Sequence, residues 1–158
     1  MYSHSVHKNS LEIGQEFQDF IIENLSKSCG LTVSIYQSKK YQFEVGESLQ
    51  GVEIKYDARS TGDCTYVDCK PTGNVGIEVA EKSNANKANF SPSGIFRRDN
   101  SWLYIVGNYH QAWIFGKRTL IRAHESGKFK CINTLPTLQT MLVPVKFADL
   151  ICEKKLIF

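Results

Sequence analysis

Two short stretches of the chain carry acids where paired carboxylates could do chemistry. They are "GVEIKYD" (Gly51–Asp57) and "GIEVAEK" (Gly76–Lys82). In the first, Val52, Ile54 and Tyr56 alternate with Glu53, Lys55 and Asp57. A strand of period two therefore puts all three charges on one face. Taken alone, that face suits the solvated side of an edge strand. In the second, Val75, Ile77 and Val79 alternate with Gly76, Glu78 and Ala80, so Glu78 stands among small neighbours where a ligand or metal can approach. Two strands that each offer a carboxylate to one site suit metal-dependent hydrolysis of a phosphodiester. Mg²⁺ prefers oxygen ligands, keeps several waters and must activate one of them. A lysine beside such a site orients the water and stabilises the charge that develops on phosphorus. Lys55 and Lys82 are the candidates.

The elements that must position these residues follow from periodicity. "SLEIGQEFQDFIIENLSKSCG" reads as an amphipathic helix with Ile13, Phe17, Phe20, Ile21 and Leu25 on one face, Ser10 as its cap and Gly30 beyond its end. "LTVSIYQ" and "YQFEV" read as strands leading into "GVEIKYD". The Gly-, Thr-, Asp- and Pro-rich "ARSTGDCTYVDCKPTGN" is a long connection over the site, with room for a short strand at "CTYV". "SNANKANFSPSGIFRRDN" reads as loop with one helical turn. "SWLYIVGN" and "QAWIFGK" are apolar strands joined by a turn, "RTLIRAHES" a short helix, "TMLVPV" a final strand and "KFADLICEKKL" a closing helix. This order gives one mixed α/β (α+β) domain over residues 1–158, with a central mixed sheet of four to five strands flanked by helices.

Composition sets the bounds. With 158 residues, 42% hydrophobic and 22% charged, the chain can bury one sizeable core. No apolar run approaches a membrane span, and "MYSHSVHKNS" lacks a signal-peptide core, which points to the cytoplasm. Five cysteines, Cys29, Cys64, Cys69, Cys131 and Cys152, are an odd number at irregular spacings and read as reduced thiols. Cys64 and Cys69 lack the second half of a zinc motif. Net charge is +3, with 19 Lys and Arg against 16 Asp and Glu, an excess that permits nucleic-acid binding. The basic residues crowd into "FRRDN", "FGKRTLIR", "GKFK" and "CEKKL", which makes Arg97, Arg98, Lys117 and Arg118 candidates for phosphate contacts. Trp102, Tyr104, Trp113 and Phe115 read either as core or as stacking platforms for bases. His110 and His124 have no partner at a recognisable spacing, and no Ser/His/Asp or Cys/His constellation and no Gly-rich phosphate loop is present.

The succession of a first helix, a strand opening "GVE", a strand ending "GNVGIEV", then "DNSWLYIVGN" and "AWIFGKRTL", resembles the PD-(D/E)XK nuclease superfamily. The likeness runs from Gly14 to "LVPVKFADLI". It implies a restriction-endonuclease-like fold and a metal-dependent endonuclease of phage, prophage or restriction type. Such an enzyme uses Mg²⁺, with Mn²⁺ as substitute, and leaves a 3′-hydroxyl and a 5′-phosphate on DNA. No organic cofactor or membrane is involved, and a homodimer suits the cutting of both strands of a duplex. On this likeness Glu53 stands at the first metal-binding acid and Glu78 at the second, with Asp57 as an additional ligand.

The family's lysine two positions after the second acid is absent, because that position is Ala80. Lys82, four after the acid, or Lys55, two after Glu53, takes its place. A second register uses Glu47, Glu53 and Lys55, and a third Asp57, Asp68 and Lys70. Some members add a helix glutamate. Four residues after Gly14 this chain has Gln18, so Glu16 is the candidate, while Glu12, Glu16, Asp19 and Glu23 also read as a solvated face. The missing lysine motivates the alternative of a nuclease-like fold without catalysis that binds nucleic acid or assembles with partners. A third reading is an interaction protein with a charged edge strand.

Overall fold

The computed structural model describes residues 8–66 and 70–158. Asp68 and Cys69, and with Asp68 the third acid register, lie outside the described residues. The elements in chain order are α1 (Ser10–Cys29), α2 (Lys39–Glu44), β1 (Val52–Tyr56), β2 (Asn74–Glu81), β3 (Ser91–Pro92), a 3-10 turn (Gly94–Phe96), β4 (Leu103–Gly107), β5 (Gln111–Gly116), α3 (Lys117–Glu125), β6 (Cys131–Leu135), β7 (Leu138–Pro144), α4 (Val145–Ile151) and β8 (Lys154–Ile157). The class is mixed α+β, as the sequence predicts. Its strands divide between two four-stranded sheets, β1-β4-β5-β8 and β3-β2-β7-β6. In the first sheet β1 runs parallel to β4 and the other pairs are antiparallel. The second is antiparallel throughout. Thus β1 and β2, expected as neighbours in one sheet, belong to different sheets.

Alternation along β4 and β5 explains the layering. Ile105, Ala112 and Ile114 face α1, joining Phe17, Ile21 and Leu25, together with Val52 and Ile54 of β1. Tyr104, Val106, Trp113 and Phe115 face the other way, onto Val75, Ile77 and Val79 of β2 and Met141 and Val143 of β7. The first sheet is therefore covered by α1 on one face and by the second sheet on the other. Of the four aromatics singled out above, Tyr104, Trp113 and Phe115 are core, while Trp102 is 59% exposed and donates its indole N–H to the Gln50 carbonyl.

The cap of helix α1 lies one residue before the expected Ser10. The Asn9 side chain accepts from the Glu12 amide at 2.9 Å, and Gly30 closes the other end at φ 63°, where a left-handed residue releases the helix. Four other expectations fail. "YQFEV" is helical as part of α2, because the Ser38 side chain caps Tyr41, and "LTVSIYQ" contributes only the isolated bridge Ile35 to Ser48. Cys64–Tyr66 form no strand. The closing helix stops at Ile151, and the chain returns as β8. Cys64 is disulfide-bonded, against the expectation of reduced thiols, while Cys29, Cys131 and Cys152 are free; residue count and spacing do not register that bond. Among the described residues no helix is long and apolar enough to cross a membrane.

A buried charge cluster braces α2 against the start of β4. The Arg97 guanidinium donates to the Gln42 and Phe43 carbonyls and lies 3.8 Å from Asp99, and the Lys117 ammonium reaches Asp99 at 3.1 Å and the Arg97 carbonyl at 2.8 Å. Burial pushes the Asp99 carboxyl up, but hydrogen bonds from Ser101 and Lys117 outweigh it and hold its pKa below the ordinary 3.8. A depressed carboxylate contributes stability that is present above that ordinary value and is lost as pH falls through the folded one. Replacing Lys117 by Met leaves Asp99 fully buried without its strongest cation. We expect a loss of about 2–4 kcal/mol in urea denaturation at neutral pH, the scale of breaking a buried pair.

Candidate active site

Strand β1 sorts its residues as the alternation requires. Tyr56 packs its ring 5.0 Å from Phe17 of α1, on the side of Val52 and Ile54, while Glu53, Lys55 and Asp57 take the opposite face. Glu53 on that face is buried, at 4% exposed, although β1 is an edge strand, while Lys55 and Asp57 are partly exposed. Glu53 Oε1 accepts from Lys55 Nζ at 2.9 Å, and Glu53 Oε2 is buried with no hydrogen-bond partner among the described residues. Such an atom is rare in a folded chain, because a desolvated acceptor left unmade is costly.

Glu78 is fixed from the loop that follows β2. Ser93 Oγ donates to Glu78 Oε1 at 2.7 Å. Gly94, at φ 56°, lies against the same residue, and a Cβ there would stand 2.1 Å from the Glu78 carbonyl oxygen. Only glycine permits both the left-handed backbone and that approach. The Gly94 carbonyl in turn accepts from the Tyr104 hydroxyl at 2.8 Å, and Tyr104 is the register partner of Glu53. Backbone and side chain together thus link the two glutamates across the junction of the sheets.

Lys55 lies in the field of three acids. Partial burial pulls its ammonium pKa down, but the Glu53 charge and hydrogen bond, with smaller contributions from Glu78 and Glu47, outweigh that and leave it raised above 10.5. The first and second acid registers therefore meet at one lysine. An ammonium held in this way stays protonated at neutral pH, so it can stabilise negative charge and orient a water but cannot accept a proton.

The other predicted residues have different surroundings. Asp57 fastens β1 to β2: its Oδ2 accepts from the Gly76 amide at 2.8 Å and its Oδ1 from the Ser60 amide at 3.0 Å. Burial lifts its carboxyl pKa, and these backbone donors oppose the rise without cancelling it. Lys82 places its ammonium 4.5 Å from the centre of the Phe90 ring, so Lys55 is the lysine that shares Glu78's field. Glu16 accepts from Lys8 and from the Tyr66 hydroxyl, which hold its pKa below 4.5. Arg97 and Lys117 are engaged internally, while Arg98 and Arg118 are exposed.

Beside Lys55 opens a cleft of about 860 Å³, lined by the first turns of α1, the end of β1 with Glu47 and Asp57, and the outward face of β6 and β7. Sequence reasoning missed β6, and with it Asn133 and Thr134 in the cleft wall. Gln18, at the position where the likeness places a helix glutamate, lines the cleft. Among the described residues no group of three or more His, Cys, Asp or Glu side chains is close enough together to hold a metal. Comparison of the chain with protein-family models, with curated proteins and with solved structures gives no match.

Proposed function

We propose that the chain is a Mg²⁺-dependent nuclease that hydrolyses phosphodiester bonds in DNA, acting at Glu53, Glu78 and Lys55. The observation that carries this reading is the Lys55–Glu53 ion pair at 2.9 Å, beside a buried Glu53 oxygen that has no hydrogen-bond partner among the described residues. A hard divalent cation suits such an oxygen, and Mn²⁺ would serve in place of Mg²⁺. Glu53 and Glu78 would hold the ion, which would supply activation of the attacking water and neutralisation of phosphate charge. Ser93 keeps the Glu78 carboxylate oriented, and Lys55 offers its charge to the phosphate oxygens through the transition state. Arg98 and Arg118, both exposed, are available to the DNA backbone. Where both strands of a duplex are cut, two sites are needed and a homodimer supplies them.

A second reading is a nuclease-like binding module without catalysis. It is favoured by Ala80 in place of a lysine and by the absence, among the described residues, of a three-residue ligand group. Supercoiled plasmid incubated with the protein and Mg²⁺ or Mn²⁺ separates the two. Nicking or linearisation that EDTA stops and that Glu78→Ala abolishes supports the nuclease. Cleavage unchanged in Glu78→Ala rejects it, and binding without cleavage under either metal favours the module.

A further inference from the structure

Glycine in the middle of a helix weakens it relative to alanine, and Gly14 sits in the second turn of the 20-residue α1. Packing does not demand it: among the described residues nothing lies within 4 Å of where its Cβ would stand. Its backbone is part of the cleft wall, so the missing side chain leaves the cleft wider and exposes bare helix to whatever enters. Around it the lining pairs apolar surface from Leu11, Ile132 and Leu142 with the amide side chains of Gln18, Gln42 and Asn133. Apolar walls suit the faces of a flat ring, and amides both donate and accept, which is what the edge of a nucleobase requires. Lys55 and Arg59, at the β1 end of the same lining, offer positive charge for a phosphate.

We propose that this cleft binds an unpaired nucleotide of a single-stranded nucleic acid, base between α1 and the β6–β7 face and phosphate toward Lys55. The inference rests on the nuclease reading only for the place of the scissile phosphate. A cleft of about 860 Å³, open to solvent along one side, has room for a single nucleotide. A base stacked inside a duplex cannot present its faces to such walls.

Fluorescence anisotropy in EDTA tests binding apart from cleavage, using a labelled oligodeoxynucleotide of about ten nucleotides, its duplex and the RNA strand of the same sequence. We expect the single strand to bind at least about tenfold more tightly than the duplex. Gly14→Leu should raise the melting temperature by about 2 °C, because helix propensity improves, while weakening single-strand binding about tenfold, because leucine fills the cleft. Gln18→Ala should weaken binding about threefold to tenfold without lowering the melting temperature. A variant that is more stable and binds less well cannot be explained by misfolding. Duplex bound as tightly as single strand, or Gly14→Leu binding as well as the wild type, overturns the inference. RNA bound more tightly than DNA supports the base site and rejects the choice of DNA above. Tight single-strand binding with no cleavage under any metal supports the site and rejects the nuclease.

Discussion

Lys55→Met is expected to lower the single-turnover rate of DNA cleavage by about 10²–10³-fold, the loss seen when one preorganised donor to a developing oxyanion is removed. The ammonium is the cation nearest Glu53, at 2.9 Å, and its raised pKa keeps it charged through the neutral range. Because it acts as a fixed charge and not as a base, the pH–rate profile of the wild type should show no limb from Lys55 between about pH 6 and 9. Lys55→Arg, which keeps the charge but changes the reach and geometry of the donor, should recover part of the rate. The sign of the linkage is also fixed. A lysine whose folded pKa is raised contributes stability that is present below 10.5 and is lost as pH rises through the folded value. Lys55→Met should therefore reduce stability at neutral pH, by about 1–2 kcal/mol, since the side chain is 44% exposed and the figure for a fully buried pair must be discounted. Equal rates in Lys55→Met and the wild type would exclude the role given to this lysine.

The second large effect belongs to Glu53. Glu53→Gln removes a charge while keeping the shape, and Gln can still accept from Lys55. Cleavage should nevertheless fall about 10³-fold or more, because a neutral amide is a poor ligand for a hard cation. Stability should change little or rise. The buried carboxylate has one oxygen without a partner among the described residues, and relieving the desolvation of its charge offsets the weakened pair with Lys55. Loss of activity in a chain that melts no lower than the wild type separates a functional acid from a structural one. Glu78→Gln should behave differently in stability, since Ser93 donates to that carboxylate and a mispointed amide would face the hydroxyl.

How much of this was legible beforehand depends on the range of the interaction. The face of β1 that carries Glu53, Lys55 and Asp57 follows from alternation alone, and so does the apolar face that meets α1. The burial of Glu53 does not follow, because an acid–base–acid alternation is also what a solvated edge carries, and the covering sheet joins β2 and β3 to β6 and β7 much later in the chain. The hold of Ser93 and Gly94 on Glu78 spans about 15 residues of polar loop and has no sequence period to reveal it. "YQFEV" misleads because Tyr, Phe and Val favour strands, yet Ser38 caps a helix over it and Phe43 remains 80% exposed, so no sheet claims those side chains. β6 and β8 are edge strands, with exposed Asn133, Thr134 and Leu135 in one and Lys154 and Ile157 in the other, and edges lack the apolar alternation that announces a half-buried strand. The choice between Lys55 and Lys82 needed three dimensions for a simpler reason. Both stand an even number of residues from a glutamate, but only the Lys55 ammonium shares the field of three carboxylates, while Lys82 rests on Phe90.

The central claim is that Glu53 and Glu78 together hold a divalent cation. Mn²⁺ titration followed by electron paramagnetic resonance, on the wild type, Glu53→Gln and Glu78→Gln, tests it without reference to any substrate. The account predicts saturable Mn²⁺ binding by the wild type, competed by Mg²⁺, and an affinity at least about tenfold weaker in each variant. The same affinity in all three proteins, or no binding by the wild type at millimolar Mn²⁺, would contradict it.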